Sequence, residues 1–311
     1  MTDRRDPQLG VQVGSLALRN PVIAAAGTFG YGVEFTGVVD LSALGAIVVK
    51  GLSLEASRGH PAPRLVETPA GMMNAVGLQN IGVRAFIETK LPQLRRYGTP
   101  VVANCWGHAP EEFAEVAARL SDAEGVAAVE VNISCPNKRE WDRIIATDLT
   151  LTREVLRATR ARCRLPMWVK LSPNVTDIVS FARVAEEEGA DAVCMINTLL
   201  GMAIDLDRRC PALSNVTGGL SGPAIKPVAL RMVWEAVRAV RIPVIGIGGI
   251  STGDDALEFL LVGARAVQVG TANFVDPRAT ARIAGEIGEG LKRRGYHDVN
   301  AWIGSLRIDA A

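Results

Sequence analysis

The chain has 311 residues, of which 48% are hydrophobic and 22% charged, and its 34 basic and 33 acidic residues leave a net charge of +1. This balance gives no electrostatic case for nucleic acid or a membrane surface as a partner. No run approaches the roughly 18 apolar residues that a membrane helix needs, and residues 1–7 lack the apolar core of a signal peptide. We therefore predict a cytoplasmic protein that binds neither nucleic acid nor membrane.

The cysteines are scattered along the chain and form no Cys-x-x-Cys pair; they are Cys105, Cys135, Cys163, Cys194 and Cys210. This scatter is typical of a reducing compartment and argues against zinc or an iron–sulfur cluster held by this chain alone. We expect no metal site in the chain. Any cluster would have to belong to a partner.

In chain order, residues 11–18 alternate around Gly14 and Ser15, which predicts a hairpin that closes the floor of the fold. Near-continuous apolar runs alternating with helical patterns indicate parallel strands covered on both sides, and eight such units favour a closed barrel. The sequence predicts one domain over 1–311, a (β/α)8 TIM barrel with loops inserted over its C-terminal face. The eight predicted strands are 22–26, 46–50, 101–104, 129–133, 167–171, 192–197, 244–248 and 266–270.

The intervening helices carry terminal signals. Pro110 suits the first position of one helix, where Glu111 and Glu112 complement the helix dipole. Helices over 181–188 and 256–262 are predicted to end at Gly189 and Gly263, which suit left-handed caps.

Polar residues and glycines recur at the predicted carboxyl ends of the strands, where barrels carry their active sites. Because burying an unpaired ammonium is costly, the two lysines among them predict an anionic ligand. The residues are Lys50, Gly51, Asn104, Asn132, Ser134, Cys135, Lys170, Ser172, Asn197, Thr198, Gly248, Gly249, Gly270 and Thr271.

The glycine-rich segments 246–252 and 269–272 follow strands seven and eight, where this fold often binds phosphate through backbone N–H groups. We interpret them as a phosphate site; tight turns are the alternative. Lys170, opposite, would then lie against a flavin ring and stabilise negative charge on its reduced form. The alternative for Lys170 is a buried ion pair within the barrel.

Residues 72–80, Met-Met-Asn-Ala-Val-Gly-Leu-Gln-Asn, form an insertion after strand two. Asn74 and the backbone of Gly77 and Leu78 suit the ring amides of a small heterocycle, and Lys50 suits a carboxylate. The alternative is a hairpin packed by its own Met and Leu residues.

The hexapeptide 132–137, Asn-Ile-Ser-Cys-Pro-Asn, places one thiol between two carboxamides at a strand end. A cysteine has an ordinary pKa of about 8.5, within reach of a base, and Asn side chains supply paired donors and acceptors. The alternative is a plain turn with a buried cysteine.

This hexapeptide, together with Val-Lys-Leu-Ser-Pro-Asn (169–174), Met-Ile-Asn-Thr-Leu-Leu-Gly-Met (195–202) and Thr-Gly-Gly-Leu-Ser-Gly-Pro-Ala-Ile-Lys-Pro (217–227), resembles the dihydroorotate dehydrogenase family. The resemblance runs from Leu16 to Pro277 and is greatest to the class 1B catalytic subunit. It implies an FMN-binding barrel that oxidises dihydroorotate to orotate in pyrimidine synthesis. It also implies a homodimer flanked by iron–sulfur flavoprotein subunits, which carry FAD and a 2Fe-2S cluster and pass electrons to NAD.

The resemblance further implies roles for individual residues. Cys135 would be the base that removes the C5 proton while hydride leaves C6 for the flavin, with Lys50 as the second catalytic residue. The implied substrate positions are Lys50, Asn74, Ala75, Val76, Gly77, Leu78, Asn132, Asn137, Asn197 and Thr198. The implied FMN positions are Ala26, Lys50, Gly51, Asn104, Asn132, Lys170, Ile196, Gly222, Gly248, Gly249, Gly270 and Thr271.

Two departures from the family pattern stand out. Ala26 replaces a Ser found in many relatives near the flavin. Lys-Arg-Glu-Trp-Asp-Arg (138–143) replaces a Gly-rich stretch, and for that reason the lid over 138–147 is expected to move or pack differently. Three alternatives remain at this point: a flavin-dependent dihydropyrimidine dehydrogenase with an uncharged uracil-like ligand, a fumarate-linked class 1A dihydroorotate dehydrogenase, and a catalytically idle barrel that serves as a scaffold.

Overall fold

The structure is a computed structural model that describes residues 6–134 and 145–308. Its strands, in chain order, are β1 (Val11–Val13), β2 (Leu16–Leu18), β3 (Val22–Ala24), β4 (Ala46–Leu52), β5 (Leu65–Thr68), β6 (Gly71–Asn74), β7 (Val101–Cys105), β8 (Val126–Asn132), β9 (Met167–Lys170), β10 (Ala192–Met195), β11 (Leu199–Met202), β12 (Ile204–Asp205), β13 (Cys210–Pro211), β14 (Thr217–Ser221), β15 (Val244–Ile247) and β16 (Ala266–Val269).

Eight of these strands form a closed parallel barrel, in the order β3, β4, β7, β8, β9, β10, β15 and β16, with β16 paired back to β3. The predicted (β/α)8 barrel is therefore confirmed. The strands are short and covered on both faces: all four residues of β9, β10, β15 and β16 are buried. This coverage explains why their sequences read as continuous apolar runs rather than as alternating ones.

Helices form the outer layer of the barrel. They are α1 (Val83–Ala85), α2 (Leu91–Leu94), α3 (Pro110–Asp122), α4 (Leu149–Arg162), α5 (Ile178–Glu187), α6 (Lys226–Val237), α7 (Gly253–Leu261), α8 (Ala272–Val275), α9 (Ala279–Arg293) and α10 (Val299–Trp302), with a π-helical turn at Phe86–Lys90 between α1 and α2. The amphipathic pattern is clear in α9, which buries Ile283, Ile287 and Leu291 at four-residue spacing.

Two predicted helices begin three residues earlier than the apolar pattern suggested, because their caps lie upstream. Asp177 caps α5 by accepting hydrogen bonds from the amides of Val179 and Ser180. Thr252 and Asp255 form a reciprocal capping box at the start of α7. The predicted glycine ends are confirmed, since Gly189 and Gly263 both have positive φ angles, of +80° and +111°.

The N-terminal hairpin of β1 and β2 is also confirmed, with Val11 opposite Leu18. Gly14 forms its turn at φ +59°, and a Cβ there would lie 3.4 Å from the carbonyl oxygen of Asp191, just before β10 begins. The hairpin thus lies at the amino-terminal end of the barrel strands, away from their carboxyl ends.

An antiparallel sheet of four strands, in the order β11, β14, β6 and β5, was not predicted. The insertion 72–80 contributes β6, which pairs with β5 on one side and with β14 on the other. Beneath it, Met73, Ala75 and Leu213 form a small apolar cluster of their own. The hairpin alternative for 72–80 is therefore correct for its first residues, although the hairpin is part of a larger sheet.

Among the described residues, no helix combines the length and the apolar character that crossing a membrane requires.

The loop between β15 and α7 is held by Asp255, whose carboxylate accepts hydrogen bonds from the Ser251 amide and hydroxyl, the Thr252 amide and Lys226 Nζ. Burial alone would raise its pKa, but the hydrogen bonds from Lys226, Ser251 and Thr252 lower it to about 2. We expect Asp255→Asn to lower the free energy of unfolding at pH 7 by about 1–2 kcal/mol.

The sign of the pH dependence follows from the lowered pKa. The contribution of Asp255 is complete above its ordinary value of 3.8 and is lost as pH falls toward about 2. Denaturant melts of wild type and Asp255→Asn should therefore converge over that range. Asp207→Asn, at an exposed position, is the control; an equal loss of stability in both variants would contradict the assignment.

Candidate active site

A cavity of about 740 Å³ opens at the carboxyl ends of the barrel strands, partly covered by the antiparallel sheet. Of the predicted site residues within the described part of the chain, all but Ala75 line it. They are Ala26, Lys50, Gly51, Asn74, Val76, Gly77, Leu78, Asn104, Asn132, Lys170, Ile196, Asn197, Thr198, Gly222, Gly248, Gly249, Gly270 and Thr271.

Three predictions fall differently. Ala75 is fully buried in the small cluster with Met73 and Leu213, because side chains alternate across the extended backbone and Asn74 and Val76 take the cavity face. Cys135 and Asn137 lie outside the described residues, as does most of the predicted lid 138–147.

Lys50 lines the cavity from within β4, which continues to Leu52, two residues beyond the predicted end of this strand. Burial, together with the nearby positive charge of Arg64, lowers its pKa below the ordinary 10.5. Within residues 6–134 and 145–308, no carboxylate forms an ion pair with Lys50 Nζ. An ammonium kept in a partly buried position without a protein counter-charge is suited to bind an anionic ligand.

The ends of β8 and β10 bring the carboxamides of Asn132 and Asn197 to the same side of the cavity. Asn132 Oδ1 accepts from the Ser134 hydroxyl at 2.7 Å, and that hydroxyl accepts from Asn197 Nδ2 at 2.7 Å. Asn197 Oδ1 in turn accepts from the Thr198 amide. The bond from Ser134 fixes which way the Asn132 carboxamide faces. Its amide nitrogen has no acceptor among the described residues and is left as a donor for a ligand.

The insertion is fixed from behind by Asn80, a buried residue that we did not predict. Its side-chain oxygen accepts from the Gly82 and Ser53 amides, and its nitrogen donates to Ser53 Oγ and the Leu78 carbonyl oxygen. Leu78 has a positive φ of 59°, a conformation that costs a branched residue energy. The network of Asn80 therefore holds Gly77 and Leu78 in place at the cavity wall.

At the opposite end of the cavity, the groups available to bind a ligand are backbone amides rather than side chains. Gly222, Gly248 and Gly249 have φ angles of +95°, +136° and +73°, and a Cβ on Gly249 would lie 2.9 Å from the Gly222 carbonyl oxygen. The amides of these residues and of Gly270 and Thr271 donate to no acceptor in the described part of the chain. Such a group of free N–H donors is a site for an anion, and phosphate in particular.

Lys170 is both a cavity residue and a member of an ion pair. Its Nζ is 3.9 Å from Glu130 Oε1, and the two side chains are 7% and 0% exposed. The same carboxylate accepts from Asn104 Nδ2 at 2.7 Å and from Gln268 Nε2 at 2.6 Å. The buried ion pair that was the alternative for Lys170 is thus present, and it adjoins the cavity.

The sequence comparisons agree with this arrangement. The sequence profile for dihydroorotate dehydrogenase matches residues 8–291. A relative from Trichlorobacter lovleyi, named dihydroorotate dehydrogenase B (NAD(+)), catalytic subunit, is 58% identical over 300 residues, which are 96% of this chain and 99% of the relative. This chain belongs to the dihydroorotate dehydrogenase family.

Relatives of the same name from Geobacter sulfurreducens and Citrifermentans bemidjiense are 57% and 56% identical. Each alignment covers 302 residues, 97% of this chain and 99% of the relative. The four sequence strings that suggested the dehydrogenase family therefore belong to a match over nearly the whole chain.

The residues of this family member fit a flavin mononucleotide. The glycine cradle offers free amides for the phosphate, and Lys50 and Lys170 supply positive charge along the cavity. Two buried acceptors next to it, Asn104 Oδ1 and Gln268 Oε1, have no hydrogen-bond partner among the described residues. Buried polar atoms are normally satisfied, so these two oxygens are consistent with a ligand or water that completes the site.

Glu130 and Gln268 were missed by sequence reasoning, although both adjoin predicted site residues. The available signal was a charged residue at Glu130 in the middle of the apolar run 126–131. Ser221 was missed as well; its hydroxyl accepts from Thr271 Oγ1 at 2.8 Å and joins the β14 end to the β16 end of the cradle.

The glycine cradle gives a direct test. In Gly249→Ala, the added Cβ would lie 2.8 Å from Lys226 Cβ at a φ that L-residues rarely adopt, so the loop must shift. We expect FMN affinity to fall about tenfold or more, since one or two charge-assisted hydrogen bonds would be lost. Titration of the apoprotein with FMN, followed by flavin fluorescence, measures this.

Gly98→Ala is the matched control, because Gly98 also has a positive φ, of +64°, but has nothing within 4 Å of an added Cβ. It carries the backbone strain without touching the cavity. Equal FMN affinity in Gly249→Ala and wild type would remove Gly249 from the phosphate site.

Proposed function

We propose that this chain is the catalytic subunit of an NAD-linked dihydroorotate dehydrogenase, which oxidises (S)-dihydroorotate to orotate in pyrimidine biosynthesis with one FMN bound in the cavity. The observation that carries the proposal is a partly buried Lys50 without a carboxylate partner in the described chain, in one cavity with the Asn74, Asn132 and Asn197 amides. Dihydroorotate combines a carboxylate with cyclic amides, and this set of side chains is complementary to both.

Each end of the cavity has its own task. Lys50 binds the substrate carboxylate, and the carboxamides together with Thr198 and the Gly77-Leu78 backbone orient the ring. Gly222, Gly248, Gly249, Gly270 and Thr271 hold the cofactor phosphate through backbone amides. Lys170 would supply positive charge to the bound cofactor, and Ala26, Gly51, Asn104 and Ile196 would complete the walls of the cavity around it.

The reaction removes a proton from C5 and a hydride from C6 of dihydroorotate and leaves a C5–C6 double bond. When bound, FMN supplies the acceptor for the two electrons of the hydride. By the family resemblance, Cys135 accepts the C5 proton. The same resemblance implies that Asn137, two residues further along the chain, binds the substrate. Among the described cysteines, Cys105 and Cys194 are unsuited to this role, because burial raises the pKa of each thiol well above its ordinary value.

The relatives are named catalytic subunits, and that name implies a partner subunit for them. We extend this to the present chain: an iron–sulfur flavoprotein with FAD and a 2Fe-2S cluster takes the electrons to NAD, around a homodimer of the catalytic chain in the cytoplasm. The NAD(+) in the relatives' names favours this acceptor over fumarate. Lys50 argues against a dihydropyrimidine dehydrogenase, whose uracil-like ligand has no carboxylate.

The first test is an anaerobic absorbance spectrum of the purified chain before and after addition of dihydroorotate. Wild type should show an oxidised flavin band that bleaches. Cys135→Ala should keep the flavin band but bleach about 10²- to 10⁴-fold more slowly, the usual contribution of a general base. The wild-type rate should rise with pH as the thiolate forms, from an ordinary pKa of about 8.5.

Cys210→Ala is the control for this variant, since Cys210 lies in β13 outside the cavity. Bleaching at the wild-type rate in Cys135→Ala would defeat the assignment of the base. A band that persists in wild type would point to another substrate, and a protein without a flavin band would favour the scaffold alternative.

Ligand charge provides a second test. Lys50→Met should weaken orotate binding by about 10- to 100-fold, through loss of a charge-assisted hydrogen bond, and should leave uracil binding unchanged. Because the pKa of Lys50 is lowered, orotate affinity of the wild type should decline with rising pH before the ordinary lysine value of 10.5 is reached. Isothermal titration across pH measures both effects.

Lys292→Met removes a solvent-exposed lysine that is paired with Asp6 and lies outside the residues that line the cavity, and it should leave both affinities unchanged. A parallel loss of orotate and uracil binding in Lys50→Met would mean that Lys50 shapes the cavity rather than binding the carboxylate.

A further inference from the structure

Glu130 is a carboxylate enclosed within the barrel. It projects from the middle of β8, is fully buried, and is held by residues from three other strands. Asn104 of β7 donates to Oε1 at 2.7 Å, Gln268 of β16 donates to Oε2 at 2.6 Å, and Lys170 of β9 lies 3.9 Å from Oε1. All three partners line the cavity, whereas Glu130 itself does not. Glu130 therefore connects three cavity residues from below.

The carboxylate determines how the two amides are oriented. An ionised carboxylate only accepts hydrogen bonds, so Asn104 and Gln268 must both turn their NH2 groups toward Glu130. Their carbonyl oxygens then point elsewhere, and both oxygens are buried with no donor in the part of the chain that the structure describes. A buried acceptor without a donor costs free energy, so this orientation persists because the charge-assisted bonds to Glu130 outweigh the cost.

The same carboxylate governs the charge at Lys170. The Lys170 side chain is 7% exposed and its distance to Glu130 exceeds direct hydrogen-bond contact. At such burial the two charges interact strongly, because the surroundings screen them poorly. The positive field of Lys170 in the cavity is thus partly offset by a negative charge behind it.

We propose that Glu130 is a positioning residue for the redox reaction: its carboxylate fixes the orientation of Asn104 and offsets part of the Lys170 charge beneath the cavity, and so sets the reduction potential of the bound flavin. The inference rests on the proposed function, because it requires FMN in this cavity. Glu130 touches neither substrate nor cofactor in this scheme and acts only through its neighbours.

The test is the two-electron reduction potential of the FMN-loaded full chain, measured by anaerobic dye-linked titration. Glu130→Gln keeps the side-chain volume but removes the negative charge, so reduced flavin, which carries more negative charge, should be favoured. We expect reduced FMN to gain at least about tenfold in affinity relative to oxidised FMN, a rise of about 30 mV for a two-electron couple. The flavin absorbance spectrum should change as well. The new Gln side chain carries an NH2 group, so Asn104 or Gln268 must turn its carbonyl oxygen toward it.

Glu130→Asp serves as the second variant, because it keeps the charge and avoids leaving Lys170 buried without a counter-ion. It withdraws the carboxylate from its three partners by one methylene. The reduction potential should therefore rise by about a third or more of the rise expected for Glu130→Gln. The control is Glu188→Gln in the outer layer. Glu188 is another nearly buried carboxylate, 8% exposed, and is paired with Arg153 and Arg157.

All three variants should lower thermal stability, which a purely structural role also predicts. Only the two Glu130 variants should shift the potential. If both keep the wild-type potential and spectrum, or if the potential falls, the inference is overturned while the proposed function stands. If wild type itself binds no FMN or is not reduced by dihydroorotate, the proposed function fails first.

Discussion

Parallel pairing around a closed barrel brings eight strand ends to one rim, and this constraint assembles the site from residues that are distant in sequence. Asn104, Asn132 and Lys170 each lie at or next to the last residue of a strand, and Lys50 lies two residues before the last residue of β4. The rim supplies side chains on one side and, after β15 and β16, free backbone amides on the other. One cavity can therefore offer cations and carboxamides at one end and an anion cradle at the other.

Much of this arrangement was predictable because the signals are local. An apolar run followed by Lys, Asn or Gly marks a buried strand whose carboxyl end faces a ligand site, and eight apolar runs in one chain suggest a closed barrel. The covering sheet was not predictable in this way. Its pairing places Asn74 opposite Gly219, and no local pattern specifies which distant segments will pair. Ala75 shows the same limit on a smaller scale. Residues 74–78 were all predicted to contact the substrate, but side chains alternate along an extended backbone, so the side chain of Ala75 points away from the cavity.

Glu130 was overlooked for a related reason. In a strand buried on both faces, one charged residue in the sequence does not reveal whether it points to the helical layer or into the barrel. The answer depends on Asn104 and Gln268, which belong to strands on either side of the barrel interior. Neither donor is close to Glu130 in sequence, so the network becomes visible only when the barrel closes.

The two lysines that line the cavity show why environment, and not residue type, assigns function. Both were read from the sequence as signs of an anionic ligand. Lys170 has a buried counter-charge 3.9 Å away, so much of its charge is balanced within the protein. Lys50 has none in the described chain, and burial and Arg64 already disfavour its charged form. A ligand carboxylate gains more from Lys50, since it relieves an existing electrostatic cost, whereas at Lys170 it would compete with Glu130. Lys50 is thus suited to bind a formal anion, and Lys170 is suited to a group whose negative charge appears only during the reaction.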